Sequence, residues 1–170
     1  MKIFVVICVI LSQIWAFSID DLNSIKRDNI KGDFVQSKRL RGFKNALVSY
    51  GSFSIINNEL FWDTTKPVIS HIKITSDGIF SLQNGEWVQT SQNYDRGLFL
   101  SIIKLDFEKL KDSFDFETSG DIYAWQLVLL PKGLLKNIFR KIEISGGKFV
   151  NRVVLLESNG DFTENTFSVK

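Results

Sequence analysis

The chain is poor in the residue types that build most catalytic and metal sites. Its 170 residues include one cysteine, one histidine, one methionine and two prolines. A single cysteine excludes an internal disulfide, and a single histidine excludes the His-rich ligand sets of most zinc sites. Gly-rich phosphate loops and the G-x-S-x-G pattern of hydrolases are also absent from the sequence. We therefore expect that the protein is not an enzyme and that it uses no metal and no cofactor.

Neither sign of charge predominates in the sequence. The 21 basic and 19 acidic residues leave a formal net charge of +2, and the basic residues are scattered. This pattern does not predict nucleic-acid binding. The densest basic cluster, SKRLRGFK at 37–44, lies between two predicted strands; we interpret it as a solvated strand end, with contact to an anionic surface as the alternative. The only histidine, His71, is predicted to face solvent from the polar side of HIKIT.

No apolar run in the sequence is long enough to span a bilayer. Residues 1–16, MKIFVVICVILSQIWA, combine Lys2 with an unbroken apolar run from Ile3 to Leu11. This pattern predicts a secretory signal peptide at 1–16, followed by one domain at 17–170, with a retained membrane anchor as the alternative. The single cysteine, Cys8, falls within the predicted signal. The mature chain would then have no thiol and no lipid attachment point, which suits a soluble protein of a bacterial periplasm.

Aromatic and aliphatic residues, by contrast, are abundant, with 15 phenylalanines and four tryptophans. In SFSIINNELFWD the asparagine pair at 57–58 predicts a two-residue hairpin turn, because asparagine tolerates positive φ. Pairing across this turn places Phe53 opposite Trp62 and Ile55 opposite Leu60. Side chains alternate along a strand, so all four share one apolar face.

Three further turns extend the pattern of short strands. A three-residue loop at 76–78 predicts that Ile74 lies opposite Phe80, and Asn84-Gly85 predicts that Leu82 lies opposite Trp87. On this register five apolar residues share one face: Ile72, Ile74, Phe80, Leu82 and Trp87. A turn at Ser119-Gly120 predicts that Phe114 lies opposite Trp125.

Short helical patterns interrupt the strands. Ser18 is predicted to cap a first helix, 94–112 reads as two short helices or as a helix with an irregular lid, and KGLLKNIF reads as another short helix. Strand patterns begin near Phe34. The count is about eleven strands in one antiparallel sheet, a mainly β (α+β) protein. A sheet of this length must curl and enclose its apolar face.

Several segments together resemble the outer-membrane lipoprotein carrier proteins, the LolA-like family. They are GDFVQSKRLRGF, LFWDTTKP, SDG, WQLVLLPKGLLKNIFRKIEISG and LLESNGDFTENTFS, which follow in the family's order over residues 19–170. The resemblance implies an incompletely closed eleven-stranded barrel with a helical lid. It implies a monomeric periplasmic carrier that shields the acyl chains of lipoproteins, or of another lipid-linked cargo, between an inner-membrane transporter and an outer-membrane receptor.

The resemblance also implies which residues bind lipid. Carried onto this chain, the cavity lining and lid contacts are Phe53, Leu60, Trp62, Ile72, Ile74, Phe80, Trp87, Leu98, Phe99, Ile102 and Trp125. The sequence departs from the family at INNELFW, which lacks the Arg-Pro that precedes this strand and the arginine within it. A regulatory domain of the same fold that senses lipid or unfolded protein is the alternative function. A periplasmic hydrolase is a third hypothesis, for which the sequence offers no nucleophile.

Overall fold

A single antiparallel sheet of eleven strands forms the body of the protein. The computed structural model describes residues 17–23, 25, 28–90 and 98–170, apart from the side chain of Phe99; the predicted signal peptide lies outside the described residues. The strands are β1 (Ile30–Arg39), β2 (Leu47–Ile56), β3 (Glu59–Lys66), β4 (Ser70–Ile74), β5 (Ile79–Gln83), β6 (Glu86–Gln89), β7 (Phe114–Asp121), β8 (Ala124–Pro131), β9 (Phe139–Gly146), β10 (Val150–Glu157) and β11 (Phe162–Val169).

The spatial order of the strands is β6-β5-β4-β3-β2-β1-β11-β10-β9-β8-β7. The first and last strands are therefore neighbours in the middle of the sheet, and Phe34 of β1 lies opposite Phe167 of β11. β6 and β7 are the two edges and do not pair, so the sheet stays open. This confirms the predicted mainly β fold, the strand count and the open, curled sheet.

Four short helices accompany the sheet: α1 (Ile19–Leu22), α2 (Leu98–Lys104), α3 (Phe107–Leu110) and a 3-10 helix (Gly133–Asn137). They confirm the two short helices predicted for 94–112, of which 94–97 lie outside the described residues. β1 begins at Ile30 rather than near Phe34, because Ile30 already pairs with Ile55 of β2. None of the helices in the described part has the length and apolar character that a membrane crossing requires.

Helix α1 starts at the predicted cap, Ser18, and its start is bound to β7 at one edge of the sheet. The Ser18 backbone N–H and hydroxyl both donate to an Asp21 carboxylate oxygen, over 2.7 and 2.9 Å. These hydrogen bonds hold the pKa of Asp21 below its ordinary value of 3.8; the bond from the Ser18 backbone has the larger effect and the bond from the Ser18 hydroxyl the smaller. The Thr118 hydroxyl of β7 donates to the Phe17 carbonyl over 2.8 Å, which ties the start of α1 to an edge strand.

Two of the predicted hairpin registers are confirmed. Asn57 and Asn58 adopt φ values of 49° and 69°, and Phe53 lies opposite Trp62 and Ile55 opposite Leu60. The Asn84-Gly85 turn likewise places Leu82 opposite Trp87. In both hairpins the turn residues supply the positive φ that a two-residue connection needs.

The register predicted between β4 and β5 was wrong by one residue. The Thr75 hydroxyl accepts the Asp77 N–H over 3.0 Å, and the Thr75 N–H donates to the Gly78 carbonyl over 2.9 Å. These contacts make Thr75 part of a four-residue loop, so Ile74 lies opposite Ile79 instead of Phe80. Because a shift of one residue turns every following side chain over, Phe80, and with it Leu82 and Trp87, lie on the opposite face from Ile74.

The turn predicted at Ser119-Gly120 was also wrong. An Asp121 carboxylate oxygen accepts the N–H groups of Tyr123 and Ala124 over 2.8 and 3.0 Å. This local bonding moves the turn to residues 122–123, and Trp125 pairs with Gly120 rather than with Phe114.

Candidate functional site

The concave face of the sheet carries a compact aromatic cluster at its centre. The Phe34 ring of β1 stacks on the Trp62 ring of β3, with centroids 3.8 Å apart and planes at 28°. Phe167 of β11 presents an edge contact to Trp62 at 5.9 Å and another to Phe53 of β2 at 5.2 Å. We call these four residues the concave cluster. Trp62 keeps only 7% of its surface exposed, so its ring is packed on nearly every side.

Two cross-strand glycines make room for this cluster. Gly51 lies opposite Phe34, and Gly32 lies opposite Phe53, in the β1–β2 pair. A Cβ on Gly51 would come within 2.7 Å of the Phe34 ring, and a Cβ on Gly32 within 3.0 Å of the Phe53 ring. The rings therefore occupy space that a side chain on the neighbouring strand would fill. The sequence carries this signal as a repeated G-x-F, at 32–34 and again at 51–53, although neither glycine was among the residues predicted for the site.

The other half of the sheet repeats the arrangement with a tryptophan. Trp125 of β8 lies opposite Gly146 of β9, where a Cβ would come within 2.7 Å of the indole ring. The indole N–H of Trp125 donates to the Gly147 carbonyl over 2.7 Å. The neighbouring concave residues Leu127, Leu129, Ile142 and Ile144 are fully buried. This half of the face is packed as tightly as the centre.

The helices cover the concave face between the two sheet edges. The segment with α2 and α3 leads from the β6 side to β7, and it buries Leu100, Ile102, Ile103, Leu105 and Leu110. From α1 and the residues after it, Leu22 and Ile25 are also buried in the same hydrophobic core. We call the two helices α2 and α3 together the lid.

The predicted lipid-binding residues divide between the two faces. Six lie on the concave face, buried or half-buried: Phe53, Leu60, Trp62, Ile72, Ile74 and Trp125. From the lid, Ile102 is buried and Leu98 packs against the core, whereas the side chain of Phe99 lies outside the described residues. Phe80 and Trp87 lie on the convex face. The shared face predicted for these two with Ile72 and Ile74 was wrong, for the reason given by the β4–β5 register.

The convex residues form a second aromatic cluster, made of Phe61, Lys73, Phe80 and Trp87, which we call the convex cluster. The Lys73 ammonium lies 5.4 Å from the Phe80 centroid and 5.3 Å from the Trp87 centroid. Phe61 meets Trp87 edge-on at 6.5 Å. Trp87 is 38% exposed, so this cluster is an open surface feature.

A cleft of about 150 Å³ lies where the lid meets two hairpin tips. Its lining includes the asparagine turn at 57–58, residues Thr75 to Asp77, and Ser101, Lys104, Asp106 and Lys109 of the lid segment. The Lys104 ammonium binds an Asp28 carboxylate oxygen over 2.9 Å and also contacts the Asn58 side-chain oxygen. One lid cation thus joins α2 to the segment before β1 and to the β2–β3 turn. No sequence pattern we used singled out Lys104.

His71 has a partner that its sequence surroundings did not reveal. The β3–β4 register places Asp63 opposite His71, and His71 Nδ1 lies 2.7 Å from an Asp63 carboxylate oxygen. Both side chains are more than 40% exposed on the convex face, where the sequence predicted His71 to lie. Within the described ranges, no group of three or more His, Cys, Asp or Glu side chains could hold a metal ion.

Comparisons with known proteins identify the fold. No protein-family model and no curated protein matches the chain significantly. A solved LolA superfamily protein from Nitrosomonas europaea superposes with a TM-score of 0.52 at 9% identity, over 89% of this chain and 90% of that one. A chain from the complex of MucA and MucB of Pseudomonas aeruginosa gives 0.50 at 14% identity; the match covers 89% of this chain and only 56% of that one. With its open eleven-stranded sheet and helical lid, the protein has a LolA-like fold.

Proposed function

We propose that the protein is a periplasmic carrier that holds acyl chains of a lipoprotein, or of another lipid-linked cargo, against the concave face of its sheet. The observation that supports this most directly is the nature of the cover over that face. Three helices of four to seven residues lie over an apolar surface that a sheet of eleven strands leaves open between β6 and β7. Short helices bury little area each, so they separate from a sheet at lower cost than a paired strand.

The chemistry of the face suits an acyl chain. The concave cluster and its aliphatic neighbours form an apolar surface, bordered on β1 and β11 by the hydrogen bond of 2.9 Å from the Gln36 amide to the Asn165 side-chain oxygen. An acyl chain gains about 0.8 kcal/mol for each methylene that it buries. In the lid-closed structure these residues pack against one another. Cargo would therefore replace lid contacts, and the lid residues Leu98 and Ile102 would then line the bound chain together with Trp62 and Ile72.

Binding without turnover is part of the proposal. The His71–Asp63 pair lies on the convex face, away from the apolar surface, and hydrolysis would need a nucleophile beside the cargo. Transfer through a carrier requires a donor and an acceptor, here an inner-membrane transporter and an outer-membrane receptor. The carrier itself would work as a monomer in the periplasm.

A fluorescent fatty acid titration tests the proposal. We expect saturable binding, no chemical change of the probe, and a weaker affinity for Trp62→Leu than for the wild type. Trp87→Leu is the matched control, because it removes the same ring from the convex face. Absence of saturable binding, or equal losses in both variants, would contradict acyl binding on the concave face. Free energies of unfolding measured on both variants separate loss of fold from loss of binding.

A second candidate function is a sensor domain that controls a protein partner. The observation that favours it is the fold shared with a chain from the complex of MucA and MucB, an assembly of two proteins. Such a domain would bind lipid or unfolded protein and change its hold on the partner. Co-purification from cells distinguishes the two functions. A carrier should co-purify with acylated cargo. A sensor should co-purify with a stoichiometric protein partner, and the binding of that partner should change when fatty acid is added.

A further inference from the structure

One end of the sheet gathers exposed apolar side chains that the proposed carrier function does not use. Adjacent strands run antiparallel, so the β1–β2 loop, the β3–β4 turn, the 3-10 helix and the β10–β11 turn all lie at the same end. Five large apolar residues of these loops or of the strand ends beside them are between 61% and 83% exposed: Phe43, Leu47, Val68, Ile69 and Leu134. We call this region the apolar end.

Three of the four connections at the apolar end are bound to one another. The Arg41 N–H donates to an Asp161 carboxylate oxygen over 2.8 Å, which joins the β1–β2 loop to the β10–β11 turn. In that turn the Ser158 hydroxyl donates to the Lys136 carbonyl over 2.7 Å, and the Ser158 N–H donates to the Ile138 carbonyl over 2.9 Å. These bonds hold together the β1–β2 loop, the β10–β11 turn and the 3-10 helix, which carry three of the five exposed apolar residues.

The same end carries more basic than acidic residues. Its loops and the residues within two positions of them carry Lys38, Arg39, Arg41, Lys44, Lys66, Lys132, Lys136 and Arg140, against Glu86, Glu157 and Asp161, with Asp112 and Asp115 around the start of β7 beside them. Lys132 pairs with Asp115 over 2.8 Å, while Lys44, Lys66, Lys136 and Arg140 form no ion pair with any residue in the described ranges. Counted in the same way, the turns at the opposite end, 57–58, 75–78, 121–124 and 147–149, carry Lys73 and Lys148 against Glu59, Asp77 and Asp121, with Asp28, Lys31 and Lys170 at the start of β1 and the end of β11 beside them. A chain with a net charge of +2 thus concentrates positive charge where its apolar tips project.

We infer that the apolar end docks on the surface of an anionic phospholipid bilayer. Protruding apolar tips ringed by lysine and arginine match an interface of acyl chains below anionic headgroups. The tips stand on three separate connections, the β1–β2 loop, the β3–β4 turn and the 3-10 helix, whereas a protein partner matches one closely packed surface. A fluid bilayer accepts such separate tips, since lipids rearrange around each one. This docking surface is independent of the concave face and of whether acyl chains bind there.

Flotation of the purified protein with vesicles tests the inference. We expect binding to vesicles of phosphatidylcholine with phosphatidylglycerol, and binding at least about tenfold weaker to pure phosphatidylcholine, with a loss of affinity as salt rises. Lys44→Glu/Lys136→Glu should lower the partition coefficient by about 25-fold or more, because each basic residue near such a surface contributes about fivefold. Phe43→Ser/Ile69→Ser should lower it by about tenfold.

The matched control carries the same kinds of substitution at the opposite end, Tyr123→Ser/Lys148→Glu, where Tyr123 is 86% exposed. We expect this variant to bind like the wild type. Equal binding to neutral and anionic vesicles, an equal loss in the control, or no vesicle binding at all overturns the inference. Thermal unfolding of each variant shows whether the fold is retained, and the acyl-probe titration should be unchanged in all three.

Discussion

The concave and convex faces around β3 carry aromatic clusters of similar composition in different surroundings. On the concave side Trp62 stacks on Phe34 beneath the helices, while on the convex side Trp87 meets Lys73 and Phe61 at the surface. In sequence both tryptophans end a hairpin of alternating apolar residues. The difference shows that alternation locates an apolar face, whereas the cover over that face decides whether it is core or surface.

Truncating the two tryptophans should give the largest contrast. We expect Trp62→Ala to lower the free energy of unfolding by about 3–5 kcal/mol, because it leaves a cavity within the concave cluster. Trp87→Ala should cost about 1 kcal/mol or less, since solvent already reaches the ring. Urea unfolding of both variants measures the difference. Costs of similar size would mean that the two faces are equally packed in solution.

Filling the space beneath the stacked ring should have the next largest effect. We expect Gly51→Ala to cost about 1–3 kcal/mol, because the new Cβ would meet the Asp63 carbonyl at 2.0 Å and the Phe34 ring at 2.7 Å. Ser52→Ala, the adjacent residue on the convex side, serves as the control and should be within about 0.5 kcal/mol of wild type. Near-ultraviolet circular dichroism should change for Gly51→Ala alone. An unchanged spectrum would argue against tight ring packing at this site.

Removing the lid cation should have a smaller effect on stability and a clear one on binding. Lys104→Met breaks the contacts with Asp28 and Asn58, and we expect a cost of about 1 kcal/mol. If the lid must separate from the concave face to admit an acyl chain, the same variant should bind a fluorescent fatty acid more tightly. Lys109→Met is the control, because Lys109 pairs only within the lid, with Asp106 over 3.2 Å. Weaker acyl binding by Lys104→Met would oppose a role in holding the lid closed.

The smallest expected effect concerns acid stability at α1. The pKa of Asp21 is lowered in the folded state, so its stabilising contribution is present above the ordinary value of 3.8 and is lost as pH falls through the lower folded pKa. We expect Asp21→Asn to remove a small part of the acid-induced loss of stability and to change little at neutral pH. Thermal unfolding from pH 2 to 7 measures it. A neutral-pH loss as large as that of Lys104→Met would show a different role for Asp21.

Short-range patterns in the sequence were sufficient for the hairpins whose turn residues need positive φ. Asn57-Asn58 and Asn84-Gly85 predicted both their turns and their pairings correctly. They were insufficient where a side chain outside the expected turn bonds the backbone: Thr75 lengthens one loop, and Asp121 moves another turn. Both cases change the strand register. The longer β4–β5 loop moves Phe80 and Trp87 to the convex face. The shifted β7–β8 turn places Trp125 opposite Gly120.

Local sequence patterns therefore predict the number of strands, their antiparallel succession along the chain and the apolar character of one face, because alternation and turn chemistry act over a few residues. Which aromatic residues meet depends on the tertiary fold. The tertiary contacts join segments that are far apart in the chain. Phe167 meets Trp62, Lys104 binds Asp28, and the Phe34 ring lies over Gly51. Such contacts depend on curvature, strand order and the volume left by each neighbour, quantities that local sequence patterns do not contain.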